Sequence, residues 1–319
     1  MFRKNVLLSR HSSYKIGGPA AYFAEPKTAG ETIRVLSKWH EISKNFSTER
    51  RQIFILGGGT NILFSDDGFP GLILKPNIIH LRKAGNQIVA GASISMARLL
   101  AFAIKHRLGS LEWSGGLPGT LGGAIRGNAG CFGGEMKDMV YNVTSLNYED
   151  GKPKIITRNN AQCKFSYRDS IFKYNDEIIF EVTLGLKKGD KKELAKASEE
   201  KKTYRKERHP LEYPNIGSIF KNVSLKTIIK AGRMTETEAR ARFLIKEDPF
   251  PVVPTARLIS ECGLKGTKSG GAMVSEKHAN FIVNVSNASS SDVKKLIQKI
   301  KNAVYRKFRV KLEEEVLVL

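Results

Sequence analysis

Gly115-Gly116-Leu117-Pro118-Gly119-Thr120-Leu121-Gly122-Gly123-Ala124 runs through Ile125 into Arg126-Gly127-Asn128-Ala129-Gly130, and this stretch decides how the chain is read. Glycine loses more backbone freedom on folding than any other residue. A fold that keeps so many uses them for positive φ or for close approach to a flat ligand. The alternative is a long surface loop, and the apolar residues set among the glycines argue against it. An earlier run, Leu56-Gly57-Gly58-Gly59-Thr60-Asn61, follows Ile53-Phe54-Ile55, which reads as a buried strand ending at a tight loop. Its three glycines let backbone N–H groups reach a phosphate, and Thr60 and Asn61 add donors. No Gly-Lys-Ser/Thr follows, so it is not a Walker A loop, and no helix stands directly behind it as in a GxGxxG fingerprint. Alone, it reads equally well as a plain strand-to-turn connection. Together the two loops point to a large phosphorylated cofactor such as a dinucleotide.

Outward from the loops, Leu72-Ile73-Leu74 and Ile88-Val89-Ala90 are strand candidates. Met96 to His106 carries Leu99, Leu100, Ala103 and Ile104 at helical spacing and stops before Gly109. Strands and helices interleave, so the architecture mixes α and β. Lys187 to Arg208 holds ten Lys or Arg and five acids with little apolar content. It reads as an exposed helix or linker and as the boundary between domains, expected at 1–187 and 188–319. Farther on, Asn280 to Val285 reads as a strand. Ser290-Ser291-Asp292 offers an N-cap for a helix whose Val293, Leu296, Ile297, Ile300, Val304 and Phe308 share one face. Val316 to Leu319 reads as a terminal strand.

The chain has 319 residues, 41% hydrophobic and 26% charged, which suits a globular protein of two domains. No apolar run reaches the roughly 18 residues of a membrane span. Met1 to Arg10 has no signal-peptide core, so no export signal is expected. Cys131, Cys163 and Cys262 lie far apart with no CxxC, which suits a reducing cytoplasm. No metal-ligand spacing appears among the six histidines, and no metal is expected. The formal net charge of +22 attracts polyanions, and composition does not choose among nucleic acid, an anionic membrane and phosphorylated small molecules.

At this point the residues resemble a known family, the UDP-N-acetylenolpyruvoylglucosamine reductases. Gly57 to Asn61 with Asp66-Asp67-Gly68-Phe69-Pro70-Gly71-Leu72 resembles that family's flavin pyrophosphate loop. Gly116 to Ala124 with Gly127 to Gly130 resembles its second flavin-contacting loop. Tyr14-Lys15-Ile16-Gly17-Gly18-Pro19-Ala20 is similar to its N-terminal segment, and Tyr167-Arg168-Asp169-Ser170 to its active-site arginine segment. Gly217-Ser218-Ile219-Phe220-Lys221-Asn222 is similar to its serine segment. Gly270-Gly271-Ala272 with Ser275-Glu276-Lys277-His278-Ala279-Asn280-Phe281 resembles its C-terminal domain, and Glu313-Glu314-Glu315-Val316 its closing glutamate. These segments stand in the family's order from residue 14 to 316. Two departures stand out: Val223 replaces a usual Pro, and an insertion at about 223–255 includes Met234 to Arg242, which reads as helical. The tyrosine-bearing loop of the family's first type is lacking, so the chain looks like the second type.

The resemblance implies an α+β fold. A flavin-binding domain of the PCMH or vanillyl-alcohol-oxidase type, itself two α+β subdomains, precedes an α+β substrate-binding domain. It implies FAD and NADPH as cofactors, and reduction of UDP-N-acetylglucosamine enolpyruvate to UDP-N-acetylmuramate for peptidoglycan precursors. It also implies a cytoplasmic, monomeric enzyme working on a small molecule, with no nucleic-acid or membrane partner. The implied cofactor contacts are Gly57, Gly58, Gly59, Thr60, Asn61, Gly116, Pro118, Gly119, Thr120, Gly122, Gly123, Ala124, Asn128 and Gly130. The implied catalytic residues are Arg168, Ser218 and Glu315, with Lys221 and Asn222 toward the substrate.

The chemistry fits those residue types. Hydride addition to an enolpyruvyl group builds negative charge beside a carboxylate, which calls for a nearby cation and donor. The Arg168 guanidinium can hold a carboxylate by two hydrogen bonds. Glu315 helps only if protonated or sharing a proton, which burial beside other acids favours. Ser218 would deliver the proton to carbon, assisted by Lys221 or a water. Read without the resemblance, Arg168 is a surface ion-pair residue, Ser218 a turn residue, and Glu315 one of three charges on a solvated edge. Cys131 reads as packing and His209 as structural. Two rival readings remain: another FAD-dependent oxidase or dehydrogenase on the same scaffold, and a nucleic-acid-binding module argued from charge. Many such oxidases tether the flavin through a histidine in the first loop, where this chain has Thr60 and Asn61. The basic residues are spread along the chain with no nucleic-acid motif.

Overall fold

Phe69–Leu74 pairs in parallel with Pro19–Ala24 and with Ile53–Ile55, and Arg3–Leu7 lies outermost in the same four-stranded sheet. Leu72, Ile73 and Leu74 are fully buried, as a central parallel strand requires. The expectation of a buried strand at Ile53–Leu56 is corrected. Ile53–Ile55 is the edge strand, with Ile53 and Ile55 40% and 37% exposed. The computed structural model describes residues 1–149, 151–248 and 250–319. It divides into one unit made of 1–6, 19–58 and 69–205, and another made of 7–18, 59–68 and 206–319.

Within the first unit the helix Ala29–Ser43 starts where the Thr28 hydroxyl accepts the Glu31 N–H at 3.1 Å. Its buried face, Val35, Leu36 and Trp39, packs on Leu72 and Leu74 and on Leu146 and Phe180 of a second sheet. That sheet is five-stranded and antiparallel, in the order Lys152–Asn159, Val140–Glu149, Ile178–Gly185, Gln87–Gly91, Leu81–Ala84. Its inward residues Ile88, Ala90, Val143 and Val182 meet Leu99 and Ala103 of the helix Met96–Lys105, which ends at His106 as the spacing required. These two sheets are the frame on which both glycine loops hang.

Lys191–Arg208 is a helix, and the expectation that it is merely exposed needs correcting. Ser198 and Arg205 are buried on it.

The second unit centres on a three-stranded sheet, Lys268–Ser269, Ala272–Val274 and Ile282–Asn284. The helix Ser290–Phe308 buries Val293, Leu296, Ile297, Ile300, Val304 and Phe308, the stripe read from the sequence. Its cap is Ser289 rather than Ser290, in a reciprocal capping box with Asp292. The segment 223–255, expected from the sequence to be an insertion, is built into this unit. The helices Leu225–Gly232 and Glu236–Arg242 follow one another, and Leu225, Ile228, Ala239 and Phe243 join the core. At the end of the chain Leu317–Val318 pairs in parallel with Ile62–Leu63.

Candidate active site

The two glycine loops touch. A Cβ on Gly57 would lie 2.9 Å from Thr120 Oγ1, and one on Gly58 would lie 2.9 Å from Gly119 Cα. Real Cβ atoms do not come so close, so only bare backbone lets these loops meet. Gly116 and Gly119 take φ of +73° and +104°, which L side chains resist. Gly119 O then accepts from Met96 N at 3.0 Å, Leu121 N donates to Ile94 O at 2.9 Å, and Gly122 N donates to Ala92 O at 2.7 Å. Thr120 caps the short helix Leu121–Arg126. Gly58, Gly116, Pro118 and Gly123 remain exposed along this cradle, while Ala124 faces the core. Bare backbone exposed at Gly58, Gly116 and Gly123 lets an extended pyrophosphate ligand approach closely.

Asn128 behaves differently from the glycines around it. It is fully buried at φ +40°; its Nδ2 donates to Glu135 Oε2 at 3.1 Å and to Ser166 O at 2.9 Å, and its Oδ1 accepts from Lys137 N at 3.0 Å. Its amide holds the loop's shape and ties it to the arginine segment. Gly130 sits where a Cβ would lie 2.6 Å from Glu135 Cγ, so close packing explains that glycine.

Arg168 stands at the tip of a tight turn. Ser166 and Asp169 exchange both backbone hydrogen bonds at 3.1 Å, and Arg168 is held at φ +57°. An arginine in that region is costly, of order 1–3 kcal/mol, and persists where surrounding structure imposes it. Lys173 Nζ donates to the Arg168 carbonyl at 2.5 Å, and the Arg168 guanidinium lies 5.1 Å from the Tyr167 ring centre. Tyr174 Oη donates to Asp169 Oδ2 at 2.9 Å. A second arginine, Arg126, belongs to the same neighbourhood: its carbonyl accepts from Ser170 Oγ at 2.8 Å. Desolvation lowers its guanidinium pKa, and the Asp169 charge acts against that shift. Sequence reading passed over Arg126; its place inside the second glycine loop was the available signal.

In the second unit the serine and glutamate segments lie side by side. Phe220 and Glu314 form an antiparallel bridge, Glu315 N donates to Ile219 O at 2.8 Å, and Lys221 N donates to Glu313 O at 2.9 Å. Ser218 is half-buried at the start of this short pairing, after Gly217 at φ +84°. On the other flank Ile219 N donates to Asn280 O at 2.8 Å. The Asn280 side chain accepts the Phe220 N–H at 3.0 Å and donates to the Phe220 carbonyl at 2.8 Å. The glycine-loop residue Asn61 reaches the same place, its Nδ2 donating to the Glu315 carbonyl at 3.1 Å. Leu317 N returns a bond to Asn61 O at 3.1 Å. Lys221 Nζ pairs with Glu313, and Glu314 pairs with Lys301 at 2.5 Å, so the other two glutamates of the run each have a lysine. Thr255 binds both other candidates: its N–H donates to Asn222 Oδ1 at 3.2 Å and its hydroxyl to Lys221 O at 2.6 Å. Sequence reading missed Asn280 and Thr255 as organisers. Asn280 carries a faint signal in the sequence, an amide set among Ala279, Phe281 and Ile282.

His209 and His278 pack with Phe281, with ring centres 5.0 and 4.8 Å from it. Burial pushes His278 down to about 4, with the charge of Lys246 next in weight, and its Nδ1 has no hydrogen-bond partner among the described residues.

Comparison with known proteins identifies the family. A family model for an FAD binding domain matches residues 20–157, and one for the C-terminal domain of UDP-N-acetylenolpyruvoylglucosamine reductase matches residues 209–319. The UDP-N-acetylenolpyruvoylglucosamine reductase of Carboxydothermus hydrogenoformans is 40% identical over 99% of this chain and 93% of its own. That of Caldanaerobacter subterraneus is 36% identical over 99% of this chain and 92% of its own. The crystal structure of the Thermus caldophilus protein of that name superposes with a TM-score of 0.75 at 28% identity, covering 100% of this chain and 99% of the other.

Proposed function

The chain belongs to the UDP-N-acetylenolpyruvoylglucosamine reductase family, and on that premise we propose how its residues divide the work of reducing the enolpyruvyl ether of UDP-N-acetylglucosamine enolpyruvate to the lactyl ether of UDP-N-acetylmuramate. The reaction serves peptidoglycan synthesis. FAD is the cofactor, and when bound it would supply the hydride chemistry linking NADPH to the enolpyruvyl double bond. Gly57, Gly58, Gly116, Gly119 and Gly123 present backbone to its phosphates, and Thr60 and Asn61 add side-chain donors.

Arg168 holds the substrate carboxylate by paired hydrogen bonds and offsets the charge that builds as hydride arrives. Its left-handed backbone and the Lys173 bond to its carbonyl favour a fixed direction for the side chain. Ser218 gives its proton to the substrate carbon bonded to the carboxylate, which completes the addition of hydride and proton across the double bond. Glu315 acts on the same developing charge, and Lys221 and Asn222 bind the nucleotide sugar. What supports grouping Ser218 with Glu315 is the pairing of their segments, through the Glu315 N–H to Ile219 O bond and the Phe220–Glu314 bridge. That pairing is the single observation carrying the reading.

No helix among the described residues is long and apolar enough to cross a membrane. We propose a cytoplasmic monomer acting on this small molecule without nucleic-acid or membrane partners. The test is direct: the purified flavoprotein should oxidise NADPH continuously, beyond the one equivalent that reduces its flavin, only when the enolpyruvyl nucleotide is added. Oxidation at the same rate without it would overturn the assignment.

A further inference from the structure

The helix Lys191–Arg208 has no apolar stripe to hold it, yet it is docked. Leu194, Ser198, Lys201 and Arg205 recur at intervals of four, three and four, which is one face of a helix. That face lies on glycines. A Cβ on Gly109 would be 2.8 Å from Leu194 Cδ2, one on Gly115 would be 2.3 Å from Ser198 O, and one on Gly116 would be 3.0 Å from Arg205 Cδ.

We infer that Arg205 is a positioning residue that staples the start of the second glycine loop to its end, and so sets how firmly the chain holds its flavin. The inference rests on that loop being a flavin loop. Arg205 is 8% exposed. Its Nε donates to Gly115 O at 2.9 Å, its Nη2 lies 2.8 Å from Cys131 Sγ, and its guanidinium stands 5.2 Å from the Phe132 ring centre. Gly115 and Cys131 bracket the second-loop cofactor residues from Gly116 to Gly130. One planar fork thus ties together the two ends of a glycine-rich loop whose interior is held by the Asn128 amide and by backbone bonds at Gly119, Leu121 and Gly122. Lys201 Nζ, 5.4 Å from the same ring centre, and Tyr204, edge-on to it at 5.2 Å, complete the grip on Phe132.

No carboxylate forms an ion pair with Arg205 among the described residues. A buried guanidinium costs desolvation energy, and here its return is a carbonyl, a sulfur and a ring face that all belong to the loop. A helix needed only for surface or solubility has no use for such a group. Lysine offers one compact ammonium and does not reach Gly115 and Cys131 together.

The test compares wild type, Arg205→Met and Arg205→Lys as FAD-loaded proteins. Two readouts are taken: the rate of FAD release by flavin fluorescence, and the rate of Cys131 carboxamidomethylation by iodoacetamide, read on the Cys131 peptide and taken from the high-pH plateau of its rate so that thiol ionisation is matched between variants. The expected result for Arg205→Met is at least about a tenfold rise in both rates, with Arg205→Lys recovering only part of each. Thermal unfolding of the apoproteins accompanies both, and Phe132→Leu, which leaves Arg205 in place, serves if Arg205→Met does not fold. It should raise both rates by a smaller factor. FAD release and Cys131 labelling unchanged in Arg205→Met, or in Phe132→Leu where that variant stands in, would overturn the staple. Full recovery by Arg205→Lys would overturn the fork geometry. If wild type itself took up no FAD, the flavin reading would fail and not the staple.

Discussion

Asn280 holds Phe220 with both ends of its amide: Oδ1 accepts the Phe220 N–H at 3.0 Å, and Nδ2 donates to the Phe220 carbonyl at 2.8 Å. The side chain stands in for a neighbouring strand on one flank of the serine segment, while Glu314 and Glu315 pair along the other. Asn280 is 3% exposed, so no water replaces it cheaply. Asn280→Ala leaves two buried backbone groups unpaired and should cost about 2–4 kcal/mol of stability. Asn280→Asp keeps the acceptor but sets a carboxylate against the Phe220 carbonyl, so it should be at least as damaging. Urea denaturation checks the first, and turnover at full FAD occupancy checks that Ser218 has lost its place. A variant with wild-type midpoint and rate would show that Glu314 and Glu315 alone hold the segment.

His278 makes stability depend on pH. Its folded pKa is lowered to about 4 against an ordinary 6.5, mainly by burial. Above 6.5 both the folded and the unfolded chain carry it neutral, and its contribution is complete. As pH falls from 6.5 towards 4, the unfolded chain takes up a proton that the folded chain refuses. Stability therefore drops, by at most about 3 kcal/mol. His278→Gln should remove this component. Urea midpoints at pH 7.5 and 4.5 measure it; equal falls in variant and wild type would show that His278 is not responsible.

Residues 223–255, read from the sequence as an insertion, contribute to the core. Phe243 is 4% exposed and its ring centre lies 6.1 Å from that of Phe308 at 63°. Phe243→Ala should cost about 3–5 kcal/mol, as truncations of buried aromatics do. A loss below about 1 kcal/mol, by denaturant titration, would mean that the helices of this segment are an ornament on the unit.

The net charge of +22 exceeds what a few phosphate contacts require, and much of it lies on exposed lysines of Lys191–Arg208 and Ser290–Phe308. If it steers anionic nucleotides, kcat/KM for the UDP-sugar should fall severalfold as ionic strength rises past about 0.1 M. A flat salt profile would leave the charge as a property of the surface alone.

The glycine loops were legible in the sequence because their constraint is local: positive φ and missing Cβ atoms are written as glycine. The stripe Val293 to Phe308 was legible because burial there is apolar and periodic. Other features depend on partners distant in sequence. Ile53 and Ile55 look like core residues, and only the sheet order makes them an edge. The docked face of Lys191–Arg208 has the right period but is built from Ser198, Lys201 and Arg205, which no hydropathy pattern marks. Asn280 meets Phe220 across sixty residues. Arg168 and Ser218 could be named through a family resemblance, whereas the turn and the clamp that hold them became visible only in three dimensions.

The proposed role of Ser218 is to supply the proton that completes reduction of the enolpyruvyl nucleotide. It is tested by following the two half-reactions of Ser218→Ala separately. NADPH should still bleach the flavin at close to the wild-type rate. Return of the flavin colour on adding UDP-N-acetylglucosamine enolpyruvate should slow by about 10²–10⁴-fold, the usual weight of a general acid. Return at the wild-type rate would contradict the assignment.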